Sequence, residues 1–399
     1  MSQTELYVRA QLYKGNTKLE TLADDIACSD ASQNALLGPV NNFLHSMFSQ
    51  VQVKIGNTEV ENTNSHYGYR SYLENLLCYD KEAKETWMQM EGWFKDTPGE
   101  FETITKSDYN KDTGLSTGNV GFHNRRGRYT SQKCFELKGK IKSDIFNMNR
   151  YMLPQVNIQL MLSRAKKEFC FMSTKAVLDQ VELKIEECWL QVRRVKVSPQ
   201  LALQHAMELE KQTAKYPIKR VLMKSMAIPY NATSVHLTGI HRGIMPSRVI
   251  VGFVKNTAYT GGAKENPYNF QNLKITNMKL KIASQSLPYS DGIESNYKST
   301  NEAALWTSAY SAMFQNIRTM GNNISYNDFG NGFTLYPFDL TPDLCSSEHF
   351  NLLRDGALTF DVTFANSENT AYQAIFYMEF ENLIEITKER AVQFDFSIV

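Results

Sequence analysis

The chain has 399 residues, with 43 Lys and Arg against 42 Asp and Glu, so its formal net charge is +1. That balance excludes a protein whose main work is coating nucleic acid, because phosphate neutralisation needs a surplus of basic residues. A composition 42% hydrophobic and 21% charged excludes disorder, and no window approaches the roughly 18 uninterrupted apolar residues of a membrane span.

Taking roughly 150 residues per domain, the length predicts two to three domains. The 22 Phe and 20 Tyr favour sheets over helical bundles. The start, MSQTELYVRA, lacks an apolar signal region, which predicts no cleaved secretion signal. Cys28, Cys78, Cys134, Cys170, Cys188 and Cys345 form no CxxC pair. Most sit among apolar neighbours, which predicts buried, reduced thiols in a cytosolic or nuclear setting.

In chain order, Val51, Val53 and Ile55 alternate with polar residues and predict a half-buried strand. Tyr69, Tyr72, Leu73, Leu76 and Leu77 recur at helical spacing and predict a helix running to about Met90. A polar, Gly-containing insertion follows over 98–127. Val156, Ile158, Leu160 and Leu162 read as another strand. Between 181 and 197 the apolar phase flips twice, from Val181, Leu183 and Ile185 to Cys188, Leu190 and Val192, then to Val195 and Val197. Such slips need bulges or bends.

Ser198-Pro199 supplies an N-cap and an N1 proline for a second helix. Its apolar side would use Leu201, Ala202, His205, Ala206 and Leu209. A Gly/Asn-rich loop spans 256–272, and Asn301-Glu302 opens a third helix carrying Leu305, Ala309, Ala312 and Met313. A Gly/Asn insertion spans 321–332. Two alternating stretches close the chain, Leu358 to Phe364 and Tyr372 to Phe380. The two halves repeat one pattern without residue-level identity. The simplest account is all-β: two tandem jelly-roll sandwiches of about 190 residues and roughly eight strands each. The expected division is 1–197, a linker helix at 198–216, and 217–399.

Chemistry is hard to find. Gly114, Gly118 and Gly121 are loosely spaced, and no Gly-Lys-Ser/Thr follows as a phosphate loop requires. No dinucleotide fingerprint or GxSxG elbow is present. His236 and His241 on a strand and turn would point apart. Asp339, Asp343, Glu348 and His349 could hold a hard cation, but Asp339 and Asp343 read better as backbone caps of a turn at Pro342. Glu379, Glu381 and Glu385 read as a solvated strand face. The basic runs Arg125-Arg126-Gly127-Arg128, Arg164-Ala165-Lys166-Lys167 and Arg193-Arg194-Val195-Lys196 read as solvated charge or subunit contact. The first, placed in a loop with Phe122 and Tyr129, could touch nucleic acid. No catalytic, cofactor or metal residue is assigned. A glycan-active or amide-cleaving hydrolase, or a carbohydrate-binding module, on the same scaffold stays open as an alternative.

Four segments carry a resemblance. They are GPVNNFLHSMFSQVQVKIGNTEVE at 38–61, with Asn41, Asn42, His45 and Phe48, and YGYRSYLENLLCYDKEAKE at 67–85, with Tyr69 and Leu73. The third is MPSRVIVGFVKNTAYTGGAKENPYNFQN at 245–272, with Pro246, Arg248, Gly252, Phe253, Pro267 and Phe270. The last is GFTLYPFDLTPD at 332–343, with Gly332, Phe333, Leu335, Tyr336, Phe338, Asp339, Leu340, Pro342 and Asp343. In this order they resemble the double jelly-roll major capsid (hexon-type) proteins, nearest to those of adintoviruses and Polinton (Maverick) elements.

The resemblance implies a virion capsid protein, made in the host cytoplasm, that forms homotrimers. Each trimer is a pseudo-hexameric capsomer tiling an icosahedral shell around double-stranded DNA, beside other capsomers and a penton protein. It implies no enzyme activity, no cofactor, no sequence-specific nucleic-acid binding and no membrane span, and makes the motif residues structural. The family usually carries residues, including a first strand, before the segment matching Glu5 to Ala10. The resemblance therefore implies either a missing N-terminal arm or a shorter version.

Overall fold

Strand β1 (Glu5–Lys14) buries Leu6, Val8, Ala10 and Leu12 on one face, as its alternation dictates. The structure is a computed structural model. It describes residues 4–20, 22, 29–30, 35–105, 118–283, 285–287, 290–294, 307–317, 321–341, 354–367 and 369–394. The other strands of the first half are β2 (Phe48–Ile55), β3 (Thr58–Asn62), β4 (Phe135–Lys140), β5 (Ile158–Arg164) and β6 (Glu182–Gln191). One sheet has β1 between β6 and β4, and the other runs β3-β2-β5.

The second half contains β7 (Ala214–Ile228), β8 (Ser234–Ile244), β9 (Arg248–Lys255), β10 (Ile275–Ile282), β11 (Leu335–Asp339), β12 (Asp355–Phe364) and β13 (Tyr372–Ile386). Its sheets run β7-β13-β9-β11 and β8-β12-β10, with short pieces added at the edges. Every named pairing is antiparallel, as expected where one face is wet and the other buried. Among the described residues, no sheet mixes strands of the two halves.

The apolar cores do mix. Helix α1 (Phe43–Ser46) and helix α2 (Tyr67–Cys78) belong to the first half. Tyr69, Tyr72, Leu73, Leu76 and Leu77 of α2 nevertheless share a cluster with Ile250, Ile375 and Tyr377 of the second. This explains a departure from alternation: Ala374 to Met378 and Val249 to Val251 are buried on consecutive residues, because their sheet is covered on both faces. Conversely, Tyr216 and Ile218 of β7 and Ile384 and Ile386 of β13 belong to the first half's core.

Several expectations are corrected. The helix from Tyr67 stops at Cys78, not near Met90. Asp80 then caps a separate turn, Lys81–Glu85, by accepting from Ala83 N, and a 3₁₀ stretch, Trp87–Glu91, ends on Gly92 at φ 78°. The insertion at 98–127 is not all loop. Its end enters helix α3 (Val120–Gln132), whose N-cap Asn119 accepts from Phe122 N. Residues 106–117 lie outside the described residues.

The phase flip after Ile185 is a β-bulge, with Arg9 opposite Glu187 and Ala10 opposite Ile185. The second flip is not in a strand, because β6 ends at Gln191. Helix α4 (Pro199–Lys211) has the predicted Ser198 cap, but none of its residues is buried. Strand β7 starts at Ala214, inside the span assigned to the linker. Helix α5 (Thr307–Ile317) is described, and its expected start at Asn301 and Glu302, with Leu305, lies outside. Of the thiols, only Cys170 is buried among the described residues. Cys134 is half-buried, and Cys78 and Cys188 are exposed, because apolar neighbours in sequence do not fix the face on which a thiol emerges. Cys28 and Cys345 lie outside the described residues.

Candidate assembly site

The first motif builds a buried polar network. Asn42 takes the left-handed conformation, φ 58°, which Asn tolerates better than most residues. The turn frees its side chain to donate to Ser71 Oγ at 2.9 Å and to accept from Asn75 Nδ2 at 2.8 Å. Asn41 Oδ1 accepts from the backbone N–H of Phe94 at 2.9 Å. His45 bonds Tyr67 Oη at 2.8 Å and Glu91 at 3.3 Å. Burial pushes the Glu91 carboxyl up, but the His45 hydrogen bond and nearby Lys142 outweigh it and hold Glu91 below its ordinary range. Phe48 opens β2 as a buried residue. A His–Glu pair sealed from solvent can order the turn, but no substrate reaches it.

The other three motifs meet this network at an aromatic seam. Tyr268 follows buried Pro267, and its hydroxyl lies 2.5 Å from Ser46 Oγ. Its ring stacks on Tyr72 with centroids 4.1 Å apart and planes 2° from parallel. Trp93 and Phe270 flank Tyr72 at 5.2 and 6.0 Å. Gly252 is required here, since a Cβ at this position would lie 2.6 Å from the Phe270 ring. Gly332, at φ 102°, leaves room for Phe101, whose ring meets Phe333 edge-on at 5.0 Å. Phe253, Leu335, Tyr336 and Phe338 fill the second core, with Leu73 on the α2 side.

Pro246 is buried just before β9. Arg248 lies opposite both Asp339 and Glu379 in the ladders, with its guanidinium 3.8 Å from Glu379. Asp339 accepts from Thr341 N at 2.9 Å, the backbone cap expected of it. Leu340 packs against the second core. Pro342, Asp343, Glu348 and His349 lie outside the described residues.

Charges also cross between the halves. Arg70, on α2, donates to Glu61 at 2.8 Å, Glu74 at 2.9 Å and Asp144 at 2.6 Å. The same Asp144 oxygen accepts from Val221 N on β7 at 3.2 Å. Burial pushes the Asp144 carboxyl up to about 8, against the pull of Arg70 and with a push from Glu61. Lys95 reaches Asp328 in the second half at 2.7 Å. Nothing in the local pattern YGYRSYL distinguishes Arg70 from a solvated arginine, and sequence reasoning missed it.

The basic run at 125–128 lies on α3, not in a loop, and reaches inward. Arg125 bonds Asp96 at 2.7 Å and the carbonyls of Pro39 and Phe94. Arg126 and Arg128 bond the carbonyls of Leu37 and Gln89. These guanidiniums tie loops to a helix and are not available to phosphates. Arg164 similarly caps the Leu183 carbonyl at 2.6 Å. Glu379 faces Lys219 and Arg248, and Glu385 faces Lys215, so these carboxylates meet cations. The carboxyl of raised pKa, Asp144, is buried with Glu61 around Arg70. His236 bonds Asp361, and His241 bonds the Ile244 carbonyl at 2.8 Å. Among the described residues there is no group of three or more potential metal ligands. No described helix is long and apolar enough to cross a membrane.

Exposed apolar side chains concentrate between the halves. From Trp189 through Val192, Val195 and Val197 to Leu203 and Met207, the surface is open to solvent. Trp189 stacks on Tyr7 at 4.6 Å across the outer face of the β6-β1 pair.

No family model matches the sequence. A relative in Caenorhabditis elegans, the uncharacterized protein F54H12.2, is 23% identical over 356 residues, covering 87% of this chain and 79% of its own length. Among solved structures, a chain of the 3.5 Å cryo-EM structure of the Sputnik virophage aligns with 99% of this chain and 82% of its own. Its TM-score is 0.59 at 12% identity. PBCV-1 VP54, a crystal structure fitted into a Sputnik reconstruction, aligns with 98% of this chain and 89% of its own, at TM-score 0.50 and 10% identity. The mavirus major capsid protein aligns at TM-score 0.46 and 10% identity, over 99% of this chain and 84% of its own. Resting on the first two alone, the fold is settled: this chain is a double jelly roll.

Proposed function

We propose that this chain is a major capsid protein of the adintovirus or Polinton kind. It forms homotrimers of pseudo-hexameric outline that tile an icosahedral shell around double-stranded DNA, next to other capsomers and a penton protein. The observation that carries the reading is the whole-chain correspondence with the Sputnik structure, 99% of the residues at TM-score 0.59. The ordered motifs and the sealed polar networks support it. The near-equal charges suit a wall that packs against copies of itself. In this reading the division is 1–197, 198–216 and 217–399, and the motif residues are structural. The chain acts in the virion capsid, without catalysis, cofactor or sequence-specific DNA contact.

Light scattering on a sizing column should give three chain masses, and negative-stain images should give hexagonal outlines. A product of one chain mass at every concentration overturns the proposal.

A further inference from the structure

We propose that residues 188–211, the end of β6 and all of α4, are the surface on which a second copy of this chain docks. This inference rests on the assembly role proposed above and gives it an address. Three independent features of the segment support it.

The first is the helix. α4 has a proline at N1 and a Ser198 cap that accepts from Leu201 N at 3.3 Å, so its start is well defined. Yet no residue of it is buried, and Leu203 and Met207, one turn apart, are 62% and 56% exposed. An isolated helix of this length is marginal in water and normally draws its stability from packing an apolar face. Among the described residues, no side chain of α4 belongs to either core, and Leu209 alone is half-buried.

The second is the sheet edge. β6 pairs with β1 alone among the described residues, so it is an edge strand. Natural edges are guarded by charge. Here Glu182, Lys184, Glu186 and Glu187 guard the first part, and the run Cys188 to Val192 carries no charge at all. The guard lapses over this short run and resumes at Arg193, Arg194 and Lys196, which are interleaved with exposed Val195 and Val197.

The third is area. Eight large apolar residues between Trp189 and Met207 are 36–62% exposed, on the order of 600 Å² in all against the ~800 Å² each partner gives a standard interface. With 43 basic and 42 acidic residues, copies of this chain do not repel one another. In a ring each copy meets the next through a different surface. Away from the arm, Met90, Met161 and Tyr230 are among the large apolar side chains left exposed to receive it.

The test compares wild type with Leu203→Glu/Met207→Glu by light scattering over a concentration series, with thermal melts as the folding control. Docking predicts that the wild type assembles, while the double variant stays at one chain mass, its assembly midpoint raised at least about 100-fold. A wild type that assembles beside a variant that assembles within threefold of it overturns this inference and leaves the capsid reading standing. A wild type that never assembles overturns both. Should the variant misfold, hydrogen exchange on the wild type decides. Slowed exchange of the 199–211 amides in the assembled fraction supports docking, and exchange equal to that of dilute protein refutes it.

Discussion

Helices α2 and α4 are nearly the same length, 12 and 13 residues, and both were legible from sequence. Ten residues of α2 are buried, and none of α4. The difference lies in what surrounds each helix, since both carry apolar residues at helical spacing. α2 lies between two sandwiches and belongs to both cores. α4 leaves one sandwich and enters the other without touching either core. Helical periodicity tells which face wants burial, and it is silent about whether the same chain supplies the partner.

The contrast can be broken at several points. The largest effect should come from Tyr72→Ala, which removes the ring stacked on Tyr268. A loss of about 3–5 kcal/mol is expected in chemical denaturation. A loss below about 1 kcal/mol would mean that the seam is not core.

The buried charges beside that seam predict a pH slope. The Asp144 carboxyl has a folded pKa near 8, above its unfolded value. The native state therefore binds more protons between about pH 4 and 8. This group's contribution to stability falls as pH rises through that window, by at most ~1.4 kcal/mol per unit for one proton. Melting temperatures of the wild type and Asp144→Asn should differ in slope, with the variant flatter. Parallel curves would remove Asp144 as the source.

A smaller effect is expected for Gly252→Ala, whose added methyl meets the Phe270 ring. Overpacking of this kind costs about 1–3 kcal/mol, read from the denaturation midpoint. At the other helix the dilute monomer should hardly respond: Leu203→Ala should change its stability by less than about 0.5 kcal/mol. A loss above 2 kcal/mol in the monomer would show that α4 is packed after all.

The sequence was most readable where one face is wet. Leu358, Phe360, Val362 and Phe364 alternate in sequence, and all four are buried in β12. It was less readable where both faces are covered, as in β13, because continuous burial there comes from α2, far away in the chain. Helix α3 escaped because its span is polar. The available signal was the Asn119 cap with Phe122 and Tyr129 seven residues apart, both fully buried. The motif segments stood out as runs, but their convergence did not. Ser46 and Tyr268 meet from 222 residues apart, and no local pattern encodes such a contact.

The pairing of β7 with β13 runs unbroken from Ala214 opposite Ile386 to Ile228 opposite Tyr372. Its outer end sits in one core and its remainder in the other. A hinge between the halves would have to pull Tyr216, Ile218, Ile384 and Ile386, at the end of this ladder, out of the first core, which opposes relative swinging of the two jelly rolls. Heat or denaturant should dismantle both in a single cooperative step. The two sandwiches share one packed interior, with the long ladder as its reinforcing bar.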